Sequence, residues 1–344
     1  MKILLVSPLP PPSGGMARWT QMYLDKCQQM GITVELVNSC VSVARANRIS
    51  RSFSWFDEIK RTWNIIQELR RARKRFKPDI IHLCSPCTKW GLMRDYLCVQ
   101  VAGDTPLVFH CHCNIVDQAT TRLSQWILKR IVAKSQSFWL LNSFSYKWAE
   151  KFIPSKIKLV PNFITLEREY NAEIRKQLKR IIYVGHVRYS KGIQEIYKVA
   201  EACAGIEFQV VGPAQQLPSE PKPDNVVLLG EVPHVQVSEL LRKADVFFFP
   251  SHTEGFANVM LEAMAAGLPI IATDVGANRD MIENKGGIIV PVGNYAEMIA
   301  AIEKLQDAAL RQQMSAWNIQ KVHNNYMTEK VMQQMKTYYE EILL

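Results

Sequence analysis

The chain has 344 residues, 48% apolar and 22% charged, with a formal net charge of +10. That length exceeds what one hydrophobic core usually serves, so two domains are expected, and the composition is an ordinary globular mixture. No apolar run approaches the ~20 residues that would span a bilayer.

The N-terminus reads MKILLVSPLPPPSGG. ILLV is a strand's length and runs into a Pro/Gly loop rather than a small-residue cleavage site, so it is read as the first buried strand of a cytoplasmic protein. Gly14 and Gly15 at the end of this loop permit close approach of backbone to a ligand, and a plain tight turn is the other reading. Neither the dinucleotide fingerprint nor the P-loop pattern is present.

From Lys60 to Lys77 the chain is strongly basic, preceded by Phe53, Trp55 and Phe56. Ile59, Trp63, Ile66, Leu69 and Arg70 fall near helical spacing, with the other basic residues on the outer face. Two readings stand. The helix packs its stripe on a sheet and is otherwise solvated, or its basic face meets anionic lipid headgroups at ~1 kcal/mol per Lys or Arg. No nucleic-acid-binding module accompanies the run, so no nucleic-acid partner is expected.

The eight cysteines lie in or beside apolar segments, which favours reduced thiols. Cys84 and Cys87, with His110-Cys-His-Cys113, resemble zinc ligands. FHCHC continues a strand, however, so His110 and His112 face one side while Cys111 and Cys113 face the other. Four ligands cannot converge from opposite faces, and no metal is expected.

Short apolar runs alternate with helical stretches along the whole chain. KILLVS, ITVELVN, DIIHLCS, LVFHCH, SFWLLN and KIKLVPN fall in the first half; RIIYVGH, IEFQVVG, NVVLLGE, ADVFFFPS, PIIATDV and GGIIVPV fall in the second. Continuous apolarity marks strands covered on both faces, hence parallel sheets in a doubly wound α/β architecture, here twice over. The seam at Pro161-Asn162 predicts domains over 1–162 and 163–319. The helical stretch from about Trp317 to Leu344 should cross back to the first domain, with the crossing helix at about 320–344. Ligands of open α/β sheets bind at the carboxyl ends of strands, so a cleft between the two domains is the expected site.

The stretch PSHTEGFANVMLEAMAAGLP, 250–269, carries Glu254 beside a glycine and Glu262 about two turns into an apolar helix. The free N–H groups of a helix start attract phosphate, and carboxylates suit pairs of hydroxyls. Together they suggest a sugar nucleotide; an N-cap and a salt-bridged helix residue are the plainer reading. After RIIYVG, the loop HVRYSKG offers Arg188 and Lys191 beside Gly192, the cations that a diphosphate needs.

With these residues in view, EGFANVMLEAMAAGLPIIATDVGANRDMI resembles the donor-binding signature of the retaining glycosyltransferases of family 4, of GT-B fold. The PPSGGMA loop, KPDIIHLCS, FHCHC, the PN of LVPNF, YVGHVRYSKG and ADVFFFPS match in order along nearly the whole chain. The resemblance implies that Glu254 binds hydroxyls of the transferred sugar and Glu262 the ribose. It implies that the N–H groups of Gly255, Phe256, Ala257 and Asn258 line the diphosphate and sugar, and that Lys191 meets the diphosphate. The family arginine directly after the glycine, here Gly185, is replaced by His186, and Arg188 two residues on is the other candidate. The family histidine near the reacting sugar is His112, with His110 the alternative. The family asparagine-glycine after the seam is Asn162-Phe163 here.

The reaction implied moves a hexosyl or N-acetylhexosaminyl group from a nucleoside diphosphate, uridine diphosphate favoured, to a saccharide hydroxyl with retention. The resemblance implies no metal cofactor, the leaving diphosphate being stabilised by Lys191, Arg188, Gly15 and the helix at Gly255. A lipid-linked acceptor and a place on the inner face of the cytoplasmic membrane follow as expectations. A sugar-nucleotide epimerase of the same fold and a catalytically silent subunit of a polysaccharide assembly complex are the rivals.

Overall fold

The computed structural model describes residues 1–11, 14–40, 55–166 and 174–344. Phe53 and the Pro12-Ser13 part of the glycine loop lie outside the described residues. By contacts the chain divides into two units: Met1–Asn162 with Thr328–Leu344, and Phe163–Met327.

Unit 1 is built on β1 (Lys2–Ser7), β2 (Thr33–Asn38), β3 (Ile80–Ser85), β4 (Leu107–Cys111), β5 (Ser137–Leu140) and β6 (Ile157–Leu159). They pair in parallel in the order β2-β1-β3-β4-β5-β6. Its helices are α1 (Gly15–Gln29), α2 (Trp55–Phe76), α3 (Lys89–Ala102), α4 (Ile115–Gln118), α5 (Arg122–Lys134) and α6 (Ser143–Glu150). Unit 2 carries β7 (Arg180–Val184), β8 (Glu207–Val211), β9 (Val226–Gly230), β10 (Val246–Phe249), β11 (Ile270–Thr273) and β12 (Gly287–Val290). Its sheet is also parallel, in the order β12-β11-β10-β7-β8-β9. Its helices are α7 (Ile193–Ala202), α8 (His234–Lys243), α9 (Asn258–Ala265), α10 (Asn278–Ile282), α11 (Tyr295–Lys304) and α12 (Ala308–Asn325), and α13 (Thr328–Leu343) ends the chain in unit 1.

Both orders reverse direction once. In unit 1 the reversal falls between β1 and β3, and in unit 2 between β7 and β10. At such a point neighbouring helices leave to opposite faces and open a crevice beyond the strands' carboxyl ends. The loops after β1, β3, β7 and β10 flank these two reversals.

The apolar runs become the strands, and the central ones are buried on both faces. Phe109, Phe138, Phe247 and Phe248 are 0–1% exposed. The edge strands depart from the expected two-sided cover: Val227 and Leu229 of β9 are 37% and 36% exposed. An edge strand has one neighbour, and a continuous apolar run does not reveal which strand is last.

Two other expectations are corrected. The crossing helix begins at Thr328, not near 320, because α12 runs unbroken to Asn325 inside unit 2. Tyr326 stays with unit 2, its ring 5.8 Å from Phe256, and its carbonyl accepts the Ile164 N–H at 2.9 Å. The α2 stripe is also divided. Ile65, Ile66, Leu69 and Ala72 are buried, but Ile59 and Trp63, expected in the same stripe, are 60% and 59% exposed beside Trp55 and Phe56.

Candidate functional site

In unit 2, β7 delivers Gly185, His186 and Arg188 into a tight turn, Tyr189–Lys191. Gly192 closes the turn at φ +84°, and a Cβ there would strike the Pro250 carbonyl oxygen. Only glycine lets this turn press against the exit of β10. The contact brings Lys191 Nζ to 2.5 Å from Glu254 Oε1 and 3.1 Å from the Thr253 carbonyl. Ser251 Oγ donates to the same Oε1 at 2.7 Å. The backbone N–H of His252 donates to the Ser190 carbonyl, while its ring meets the buried Glu195 carboxylate at 2.8 Å. The loop after β10 is thus held by the Lys191–Glu254 ion pair to the turn after β7 and by the His252–Glu195 hydrogen bond to α7.

The two candidate second cations differ sharply. Arg188 makes no ion pair or side-chain hydrogen bond among the described residues, and its Nε is buried without a partner. A guanidinium left so is an offer to an anion. His186 is exposed, and partial burial, then Arg188 and Lys191, hold its imidazole below the ordinary range. Tyr183 donates its hydroxyl to the His186 carbonyl at 3.0 Å, and burial followed by the nearby Glu254 charge pushes that phenol up.

Helix α9 starts at Asn258 after Ala257, which supplies no side-chain cap. Gly276, at φ +53°, lets the turn after β11 approach the loop, since a Cβ there would meet the carbonyl oxygens of Glu254 and Gly255. Ala277 N–H donates to the Gly255 carbonyl at 3.1 Å. Glu262 lies about one turn into α9 rather than the two expected, and its Oε1 is 3.3 Å from His234 Nε2. Gly185, His186, Arg188, Lys191, Glu254, Gly255, Phe256, Ala257, Asn258 and Glu262 all fall on the loops and helix start around the β7–β10 reversal.

In unit 1, Gly14 extends before α1, and a Cβ on it would meet nothing within 4 Å, so packing does not demand a glycine there. Gly15 opens the helix. His112 follows β4 directly, tied by its N–H to the Ser85 carbonyl at 2.8 Å. Its ring sits 4.0 Å from that of His110 and 4.6 Å from that of Trp19. Burial pushes the His112 imidazole down to about 3, so this histidine is neutral over ordinary pH. His110 is fully buried and bonds His82, 3.2 Å between Nε2 of His82 and Nδ1 of His110.

Strand alternation sorts the His/Cys motifs as expected. Cys111 lies against Cys87, Sγ to Sγ 3.0 Å, on one face. On the other, the ligand atoms of His82, Cys84 and His110 lie within 4.8 Å of one another. The two sets do not merge.

Sequence reasoning missed Ser251, the His252–Glu195 clamp and His234. Ser251 and His252 sit inside the signature itself. Glu195, a charge inside an otherwise apolar helical face, was the available signal for a buried partner.

The family model for Glycosyltransferase Family 4 matches residues 13–168, and that for Glycosyl transferases group 1 matches residues 178–308. TuaC of Bacillus subtilis, assigned to teichuronic acid biosynthesis as a glycosyltransferase, is 31% identical over 73% of this chain and 67% of its own length. The capsular polysaccharide biosynthesis glycosyltransferase CapM of Staphylococcus aureus is 28% identical over 52% of this chain, which spans only 50% of CapM. Among solved structures, Anabaena HepE in complex with UDP and glucose superposes with a TM-score of 0.72 at 15% identity, covering 99% of both chains.

Proposed function

We propose, for a chain that belongs to Glycosyltransferase Family 4 and has its GT-B fold, that it moves a sugar from uridine diphosphate to a saccharide hydroxyl with retention. The observation that carries this reading is the unpartnered Arg188 guanidinium beside the Lys191–Glu254 pair, at the point where the strand order of unit 2 reverses. One free cation, one paired cation and a carboxylate with a second oxygen to offer suit a diphosphate and a polyhydroxyl group.

In the reaction the anomeric C–O bond to the diphosphate breaks, and the acceptor oxygen bonds the same face of that carbon. The acceptor proton passes to the departing diphosphate. Arg188 and Lys191 stabilise the charge that grows on its oxygens, in place of a divalent metal. Glu254 holds sugar hydroxyls and Glu262 the ribose. His112, neutral and held by its neighbours, offers a hydrogen bond to the sugar without adding charge. The names of CapM and TuaC support a cell-surface polysaccharide as the product, and the UDP and glucose held by HepE support the donor class.

A lipid-linked acceptor accords with α2. No helix among the described residues is long and apolar enough to cross a membrane. Trp55, Phe56, Ile59 and Trp63 nonetheless expose 59–85% of their surface, with Arg70, Arg71 and Lys74 outward on the same helix. Rings at an interface and charge for anionic headgroups make a peripheral anchor. Vesicles with and without anionic lipid should sediment the wild type differently. Binding unchanged by Trp55, Phe56 and Trp63 to serine, and by Arg70, Arg71 and Lys74 to glutamine, removes the anchor.

The deciding experiment is a thermal-shift panel of UDP- and GDP-sugars followed by product analysis. A donor at 100 times its dissociation constant stabilises by ~2.7 kcal/mol. Stabilisation with transfer or slow donor hydrolysis supports the reading. Stabilisation without turnover indicates a silent subunit, an altered sugar on the same nucleotide indicates an epimerase, and no stabilisation overturns the donor site.

A further inference from the structure

Behind His112 runs a file of hydrogen bonds that the chemistry above does not use. Tyr23 Oη and Tyr339 Oη are 2.9 Å apart, Tyr339 Oη is 2.5 Å from His82 Nδ1, and His82 Nε2 is 3.2 Å from His110 Nδ1. His110 in turn lies against His112. Tyr23, His82, His110 and Tyr339 are at most 1% exposed, and Trp19 presents its ring edge-on to all three histidines.

Each link has one hydrogen to share, so the ends decide the direction. Burial holds His82 and His110 well below the ordinary range, and each ring carries a single N–H. His110 Nε2 is enclosed with no partner. A buried N–H without an acceptor is rarer and costlier than a bare acceptor, so the hydrogen of His110 belongs on Nδ1. It donates to His82 Nε2, His82 Nδ1–H donates to Tyr339 Oη, and the Tyr339 hydroxyl donates to Tyr23 Oη.

We propose that Tyr339 sets the tautomers of His82 and His110 and so fixes the ring of His112, which makes α13 a positioning element for that histidine. The functional half rests on the reading of His112 as a group that meets the sugar. Deleting the Tyr339 hydroxyl leaves His82 Nδ1–H without an acceptor. With the hydrogens of both rings moved to Nε2, His110 buries an unpartnered Nε2–H instead, so the original and the reversed arrangements each leave one orphan and the preference for the first is lost.

Long-range proton–nitrogen spectra of full-length protein labelled at histidine nitrogens read this directly. The wild type should show Nδ1–H at both His82 and His110. Tyr339→Phe should add a flipped population with both hydrogens on Nε2 and lower kcat about tenfold with donor KM unchanged, as expected for a displaced group at the sugar. Tyr23→Phe, which leaves Tyr339 Oη able to accept, should keep both tautomers. Nε2–H at His110 in the wild type overturns the wire without recourse to any variant. Flipped tautomers with wild-type kcat overturn the positioning role. Full activity in His112→Ala overturns the site reading instead and leaves the spectra standing.

Discussion

At the end of β10, Glu254 is met by an ammonium and a hydroxyl, and an unpartnered guanidinium stands beside them. At the end of β4, His112 lies against the rings of Trp19 and His110, and the hydrogen-bond file behind His110 holds only tyrosines and neutral histidines. Both exits present a polar group at a sheet's carboxyl edge, but one does so with charge and the other by removing it. A partly open loop keeps ions because water and partners remain near. A dry stack must hold its bases unprotonated, because an unpaired charge there has nothing to repay its desolvation.

The sharpest way to break this contrast is to remove charge from the β10 exit. Lys191→Ala and Glu254→Gln should each lower turnover by about 10²–10³-fold, the range for deleting one prearranged stabilising group. Both should leave the unfolding temperature within about 4 °C. Near-wild-type turnover in either would detach that residue from the chemistry. Next in size, Arg188→Ala should weaken uridine diphosphate binding about 10–100-fold, the worth of a charge-assisted hydrogen bond at ~1.5–3 kcal/mol. His186→Ala should change it less than about threefold, because a neutral, exposed imidazole offers the phosphate little. Titration calorimetry that ranks the two the other way would reverse the assignment.

The β4 exit is tested by acid. His82 and His110 have folded values below the unfolded ~6.5, so above that pH both states are neutral and the full stability is present. Below it the unfolded chain binds protons that the folded stack refuses. Stability then falls by up to about 1.4 kcal/mol per pH unit for each histidine. Trp317 is the only tryptophan of unit 2, so denaturant melts followed by tryptophan fluorescence report unit 1. A midpoint that stays flat between pH 7 and 5 would mean the stack admits protons. The smallest effect is expected from Glu262→Gln, a several-fold loss of nucleotide affinity at about 1 kcal/mol with kcat unchanged. An effect on kcat alone would remove the ribose role.

The strands and their parallel pairing were legible because continuous apolar runs such as ADVFFFPS have one use in a globular chain: burial on both faces. Glu254, Lys191 and Glu262 were legible as candidates because each is a charge at a strand end or within an apolar helix. What composition could not carry is which loops meet. The Lys191–Glu254 bond spans 63 residues and exists because β7 and β10 are neighbours in the sheet. The same holds for His252 with Glu195, and for Tyr339, which reads as one more apolar position of a terminal helix until α13 lays it on Tyr23 and His82. Local patterning fixes the elements, since burial and periodicity act within a few residues. Strand order and the return of α13 are settled by packing between distant segments, and they decided which polar atoms find partners and which, like Arg188 Nε, are left without one.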